Sequence, residues 1–141
     1  QAGENGSKLG LWFTTAPGVL MHYLLSYQLA DDYLARRAEF RSSHLALAWR
    51  AVEQGELILG GAVGDPVESA LLLFNVDDIA KVDAFAKADP YVIQGLVTSY
   101  RILPWHTVAG ESAATPVAGP VAARRPAKRA ASRGRRGRSA S

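Results

Sequence analysis

Regular patterning begins at Met21. The run MHYLLSYQL (21–29) is rich in strand formers and too short to stand as a helix, which predicts a strand. Asp31 or Asp32 then supplies a helix N-cap. Beyond it Leu34, Ala38, Arg41, Leu45, Ala48 and Val52 recur at spacings of three and four, the stripe expected of a helix packed on a sheet and running to about Gln54. Gly55 stops it. The apolar runs ELILGGAVG (56–64) and SALLLFNV (69–76) have strand length and flank a loop at Asp65 and Pro66, so they predict a hairpin. Asp77 or Asp78 caps a second helix through Ala88, with Ile79, Val82, Phe85 and Ala86 on one face and a break enforced by Pro90 after Asp89. Residues 96–103 form a last strand. The order β-α-β-β-α-β is the ferredoxin-like α+β plan: a four-stranded antiparallel sheet with both helices on one face.

That plan covers one side of the sheet, yet the strands are apolar on both. Tyr23, Leu25 and Tyr27 oppose Leu24 in the first strand, and Leu71 and Leu73 oppose Leu72 and Phe74 in the third. A domain of this size does not easily leave a whole apolar face in water. The economical cover is a second copy, two sheets face to face in a homodimer.

Composition narrows the class. A chain of 141 residues, 48% hydrophobic and 21% charged, holds one ordinary domain. No apolar run approaches the roughly 20 residues of a membrane span, and the absence of cysteine excludes disulfides, thiolate metal sites and a cysteine nucleophile. The expectation is a soluble, cytoplasmic protein with no membrane partner. Charge is uneven along the chain. Residues 21–110 carry seven Lys/Arg against eleven Asp/Glu, a net −4, whereas residues 111–141 carry eight against Glu111 alone, a net +7. Three regions follow: an irregular leader over 1–20, processed or cut from something longer since it opens on Gln1; a domain over 21–108; and a basic Ala/Pro/Gly/Arg tail over 109–141, too poor in apolar residues to fold. Such a tail binds polyanions such as nucleic acid weakly and without base specificity, having no aromatic residue to stack on bases.

The polar residues left over by the core pattern are few. His44 lies three residues after Arg41, so the two project from one side of the first helix about a turn apart. Alone, such a histidine is more often a satisfied, partly buried side chain than a catalyst. Asp89 ends the second helix, where its charge opposes the helix dipole, and read locally it is a helix-breaking Asp-Pro. Side-by-side helices bring the two within reach, and a His/Asp pair is a workable general base, because the carboxylate fixes the imidazole tautomer and raises its basicity. His22, in the first strand, and His106, after the last, have no partners at metal-ligand spacing, so neither metal nor cofactor is expected. The run Gly60-Gly61-Ala62-Val63-Gly64 lacks the Lys-Ser/Thr of a phosphate loop and reads as strand and turn. Trp49, Trp105, Tyr33 and Phe40 read as packing residues.

Arg41-Ser-Ser-His44-Leu45, Gly55-Glu-Leu57, Gly60-Gly61, Ala88-Asp89-Pro90-Tyr91 with Gly95, Ser99, and Leu103-Pro104-Trp105 together resemble a YciI-like (YCII-related) domain of the dimeric α/β-barrel superfamily, over about residues 21–108. One position departs: Ala62 follows Gly60-Gly61 where relatives often carry Pro. The resemblance implies a homodimer with a cleft in each subunit, a catalytic pair matching His44 and Asp89, and a small-molecule ligand. The family includes an enzyme that eliminates HCl from a chlorinated hydroxyhydroquinone. By that likeness, His44 polarised by Asp89 removes a ring hydroxyl proton, Arg41 holds an anionic or phenolate oxygen, and Tyr91 and Ser99 line the cleft. Three functions remain open: a cofactor-independent acid-base lyase acting on a small cyclic or phenolic compound; a non-catalytic ligand-binding or regulatory module whose pocket His44 and Asp89 only shape; and a nucleic-acid-associated protein working through its tail.

Overall fold

The computed structural model describes residues 18–119. Seven elements follow one another: β1 (Met21–Leu29), α1 (Tyr33–Glu53), β2 (Leu57–Val63), β3 (Ser69–Val76), α2 (Ile79–Ala88), the single turn α3 (Pro90–Ile93) and β4 (Val97–Trp105). The strands form one antiparallel sheet in the order β2-β3-β1-β4, the ferredoxin-like arrangement that the strand and helix pattern implied. Gly60 and Gly61 lie within β2, as expected of strand rather than phosphate loop.

Strand periodicity sorts the side chains. Tyr23, Leu25 and Tyr27 of β1 point toward the helices, where they meet Leu72, Phe74 and Val76 of β3. Phe85 of α2 sets its ring edge-on to Phe74 at 5.1 Å, and Val82 and Ala86 complete a contact that excludes water. Full burial of a residue such as Leu25 stabilises by about 1.5–3 kcal/mol. Capping is uneven. The Asp78 carboxylate accepts the Ala80 amide at 2.8 Å and starts α2, whereas Asp32 makes no side-chain cap on α1 and instead faces Arg36 at 3.8 Å. Gly55 ends α1 with a φ of 76°, a conformation that other residues adopt only at a cost.

The structure refines three expectations. The apolar stripe of α1 does not lie flat on the sheet: Leu34 and Leu45 are exposed, and only Tyr33 and Ala51 of this helix are buried. Ala48 and Val52 are half-buried against the core, and together with Arg41 and Leu45 they also line a cavity beneath the helix. Helical period marks the side that faces inward, and a cavity wall satisfies it as well as a core contact does. Pro90 not only ends α2 but opens α3, its fixed φ suiting a first helical position. Finally, the chain keeps folding past Ala109: the amides of Thr115 and Val117 donate to the carbonyls of Thr107 and Val108, and the Ala114 amide donates to Thr107 Oγ1. Local hydrogen bonding orders this stretch where apolar content alone does not. The leader up to residue 17 and the basic tail from residue 120, with its expected polyanion binding, lie outside the described residues.

The other sheet face carries Leu24, Leu59, Leu71, Leu73, Leu103 and Trp105, and among the described residues no helix packs on it. Leu59 is 69% exposed and Trp105 46%. Residues 107–114 fold over its end, where Thr107 Oγ1 lies 2.7 Å from Nδ1 of the buried His22.

Candidate functional site

Asp89 organises the site. It closes α2 in an extended conformation and at once caps α3, Oδ1 accepting the Tyr91 amide at 3.0 Å. Its place after α2, unfavourable to that helix's dipole, is therefore also the N-terminus of α3, where a carboxylate is favoured. The side chain is completely buried and receives two further hydrogen bonds: His44 Nδ1 lies 2.8 Å from Oδ1, and the Tyr27 hydroxyl donates to Oδ2 at 2.7 Å. Residues from α1, β1 and α3 thus converge on one carboxylate.

An ionised carboxylate only accepts, so toward it His44 Nδ1 stands as the donor, and the other ring nitrogen, Nε2, has no protein partner among the described residues. The Tyr91 ring stacks on the imidazole at 4.0 Å and 10°, and Tyr33 sets its edge against Tyr91 at 5.7 Å. The imidazole is thereby locked in plane, with Nδ1 tied inward. Arg36 ties α1 to the end of α3 by donating to the Gln94 carbonyl at 3.0 Å. Burial pushes the Tyr27 phenol well above its ordinary range, and the charge of Asp89 pushes it further. Burial also raises the Tyr91 phenol, as does neighbouring Tyr33, while Arg41 and Arg37 pull it back.

His44 and Tyr91 border a cavity of about 450 Å³ between α1 and the β2 side of the sheet. Most of its wall is apolar, from Leu45, Ala48, Val52, Leu57, Ala70 and Leu72, and its polar groups include His44, Arg37 and Arg41. Trp49, read from the sequence as a packing residue, is 63% exposed and stands at this cavity. Gly60 belongs to the opposite wall, where an added Cβ would meet Leu72 Cγ at 3.2 Å.

Of the five residues singled out from the sequence, four meet here: His44 and Asp89 in contact, Tyr91 against the imidazole, and Arg41 at the cavity. Ser99 does not join them. It pairs with Gln28 across the sheet and lies exposed on the face away from the helices, because strand alternation carries Tyr100, not Ser99, to the helix side. Tyr27 was missed, and a signal for it existed: a tyrosine on the inward face of a central strand must find a partner for its hydroxyl. Arg37, one turn before Arg41, was missed as well. Among the described residues no group of three or more His, Cys, Asp and Glu is placed to hold a metal ion, and no helix is long and apolar enough to cross a membrane.

The family model of the YCII-related domain matches residues 21–106. Among solved structures the chain is similar to 5-chloro-2-hydroxyhydroquinone dehydrochlorinase from Burkholderia phenoliruptrix AC1100, in complex with 2,5-dihydroxybenzoquinone, with a TM-score of 0.53 and 19% identity over 62% of this chain and 95% of that one. At that identity the likeness is one of fold. No curated protein matches the chain.

Proposed function

The chain belongs to the YCII-related domain family, and from that premise we propose that it is a cofactor-independent acid-base enzyme, lyase-like, acting on a small cyclic or phenolic compound in the cavity beside His44. The observation that carries this reading is the 2.8 Å contact of His44 Nδ1 with the buried Asp89 carboxylate, at a site whose other ring nitrogen has no protein partner among the described residues. The imidazole borders a 450 Å³ space that could hold a small compound.

In the reaction, Nε2 takes a proton from a ring hydroxyl of the bound compound. The electron pair left on oxygen forms a C=O bond, the adjacent enol C=C shifts one position along the ring, and the leaving group departs as an anion from the saturated carbon that the shifting double bond reaches. A phenol reacts from the keto tautomer in which that carbon has taken up a proton. Asp89 stabilises the imidazolium, which then gives up its proton to the departing anion or to water. Arg41, at the same cavity, offers a guanidinium to an anionic oxygen of the bound compound. The dehydrochlorinase of similar fold, named for a chlorinated hydroxyhydroquinone, supports this class of substrate. The open sheet face is covered by a second copy, since Leu59, Leu71, Leu103 and Trp105 form an apolar patch that no described helix covers.

A thermal-shift screen of small cyclic and phenolic compounds, followed by product analysis, tests the reading. A hit should be turned over by wild type, and His44→Ala should lose about a hundredfold or more in rate while its fold is unchanged. Tight binding without product would favour a binding module, and an unchanged rate in His44→Ala would remove the imidazole from the chemistry. Leu71→Arg should convert a dimer to a monomer in light scattering; a wild-type monomer would refute the second copy.

A further inference from the structure

The arginines at the cavity narrow the ligand class, an inference that rests on the cavity being the binding site. Arg37, Arg41, His44 and Ala48 follow one another at spacings of four, three and four along α1, and all four border the cavity. By helical rise Arg41 lies about 4.5 Å along the axis from His44, and Arg37 about 10 Å. Like charges four residues apart repel and cost a helix a few tenths of a kcal/mol, so the fold gains nothing from this pair. Neither arginine has an ion-pair partner among the described residues, whereas Arg36, Lys81 and Lys87 each face an aspartate four residues away. Arg37 lies over the Tyr33 ring at 5.8 Å, and among the described residues Arg41 has no such aromatic contact. The described wall of the cavity contains no Asp or Glu, although residues 21–110 as a whole are acidic. Arg37, half-buried, and Arg41, exposed, thus put two guanidinium groups without ion-pair partners at the border of a largely apolar cavity, a local positive field in a negative domain.

We infer that the cavity takes a compact cyclic acid: a planar, largely apolar ring whose carboxylate is held by Arg37 and Arg41, and whose reacting edge lies about one ring's width away at His44. A guanidinium fork suits a carboxylate, which accepts two parallel hydrogen bonds. The apolar wall formed by Leu45, Ala48 and Val52 suits the ring. Trp49, largely exposed, offers a flat surface at the same cavity.

The test is a titration with matched pairs of monocyclic probes, each acid against its carboxamide: benzoate with benzamide, 4-hydroxybenzoate with 4-hydroxybenzamide, cyclohexenecarboxylate with its amide. At least one acid should bind about tenfold or more tightly than its amide, a preference that shrinks as salt is raised. Arg37→Gln and Arg41→Gln should each weaken that acid several-fold and leave the amide unchanged. His44→Ala should retain the preference. Ala48→Trp, which fills the cavity, should abolish binding of acid and amide alike; Leu45→Trp at a more exposed position gives a second block if the first variant does not fold. Amides that bind as well as acids, and are lost in Ala48→Trp, overturn the anion assignment and leave the cavity as the site. Binding indifferent to both tryptophans overturns the cavity reading and the inference with it. No binding by any acid at millimolar concentration overturns the inference directly.

Discussion

Replacing Tyr27 by Phe removes one oxygen atom and tests the construction of the whole site. Among the described residues that hydroxyl is the sole hydrogen-bond donor to Asp89 Oδ2, at 2.7 Å, and both side chains are almost wholly buried, at 1% and 0% exposure. Phenylalanine leaves the packing intact, so the loss is that of a hydrogen bond to a charged group that water cannot replace, about 1.5–3 kcal/mol. For a domain of this size that corresponds to a fall in Tm of roughly 10 °C. Urea denaturation of Tyr27→Phe, Asp89→Asn and the double variant, at one protein concentration so that any self-association contributes equally, closes a cycle. In Asp89→Asn the new amide can keep its oxygen toward the Tyr91 amide and His44 Nδ1 while its NH₂ turns to the Tyr27 oxygen. In the Tyr27→Phe background the same substitution replaces a carboxylate that has already lost one of its three hydrogen bonds. The two substitutions should therefore couple by about 1 kcal/mol or more, the Asp89→Asn change costing less when the phenol is already absent. A Tyr27→Phe protein as stable as wild type, or a cycle additive within about 0.5 kcal/mol, would refute the idea that this bond supports the buried carboxylate.

Alkaline pH gives an independent readout. The unfolded Tyr27 phenol releases its proton near pH 10 while the folded one holds it to higher pH, so the stability it contributes is complete below pH 10 and is lost as pH rises above it. Each such tyrosine steepens the decline by about 1.4 kcal/mol per pH unit, and Tyr27→Phe should remove one share, so that its deficit against wild type narrows above pH 10; parallel curves would contradict this. Gly60→Val drives a branched side chain against Leu72 Cγ, already 3.2 Å from the position of a Cβ. It should cost about 1–3 kcal/mol in urea titrations, and a neutral outcome would show that Leu72 can yield into the cavity.

The fold was legible because its signals are local and repeated. Alternation in β1, the Asp78 cap before α2, and the breaks at Gly55 and Pro90 each specify an element, and the connection rules leave few ways to assemble the six main ones. Strands apolar on both sides also announced an open sheet face, and Leu59, Leu71 and Leu103 occupy it. The pairing of His44 with Asp89 was legible only as a conjunction: each residue alone has an ordinary reading, and the side-by-side placement of α1 and α3 turns two ordinary residues into one contact.

Other features depend on distances that no spacing encodes. That part of the α1 stripe lines a cavity is a matter of tertiary placement: Ala48 and Val52 reach both the core and the cavity, while Leu45 stays exposed at the cavity. Whether Asp89 merely interrupts a helix or accepts three hydrogen bonds depends on where Tyr27 arrives from a strand 62 residues earlier in the chain. Ser99 was placed by motif and displaced by parity, since a shift of one residue along a strand exchanges the two faces of a sheet. Sequence alone therefore determined which segments become strands and helices, because hydrophobic period and backbone chemistry act over a few neighbours. Only the tertiary structure decided which side chains share one buried carboxylate, because that requires residues far apart in the chain to be brought within 3 Å of it by packing.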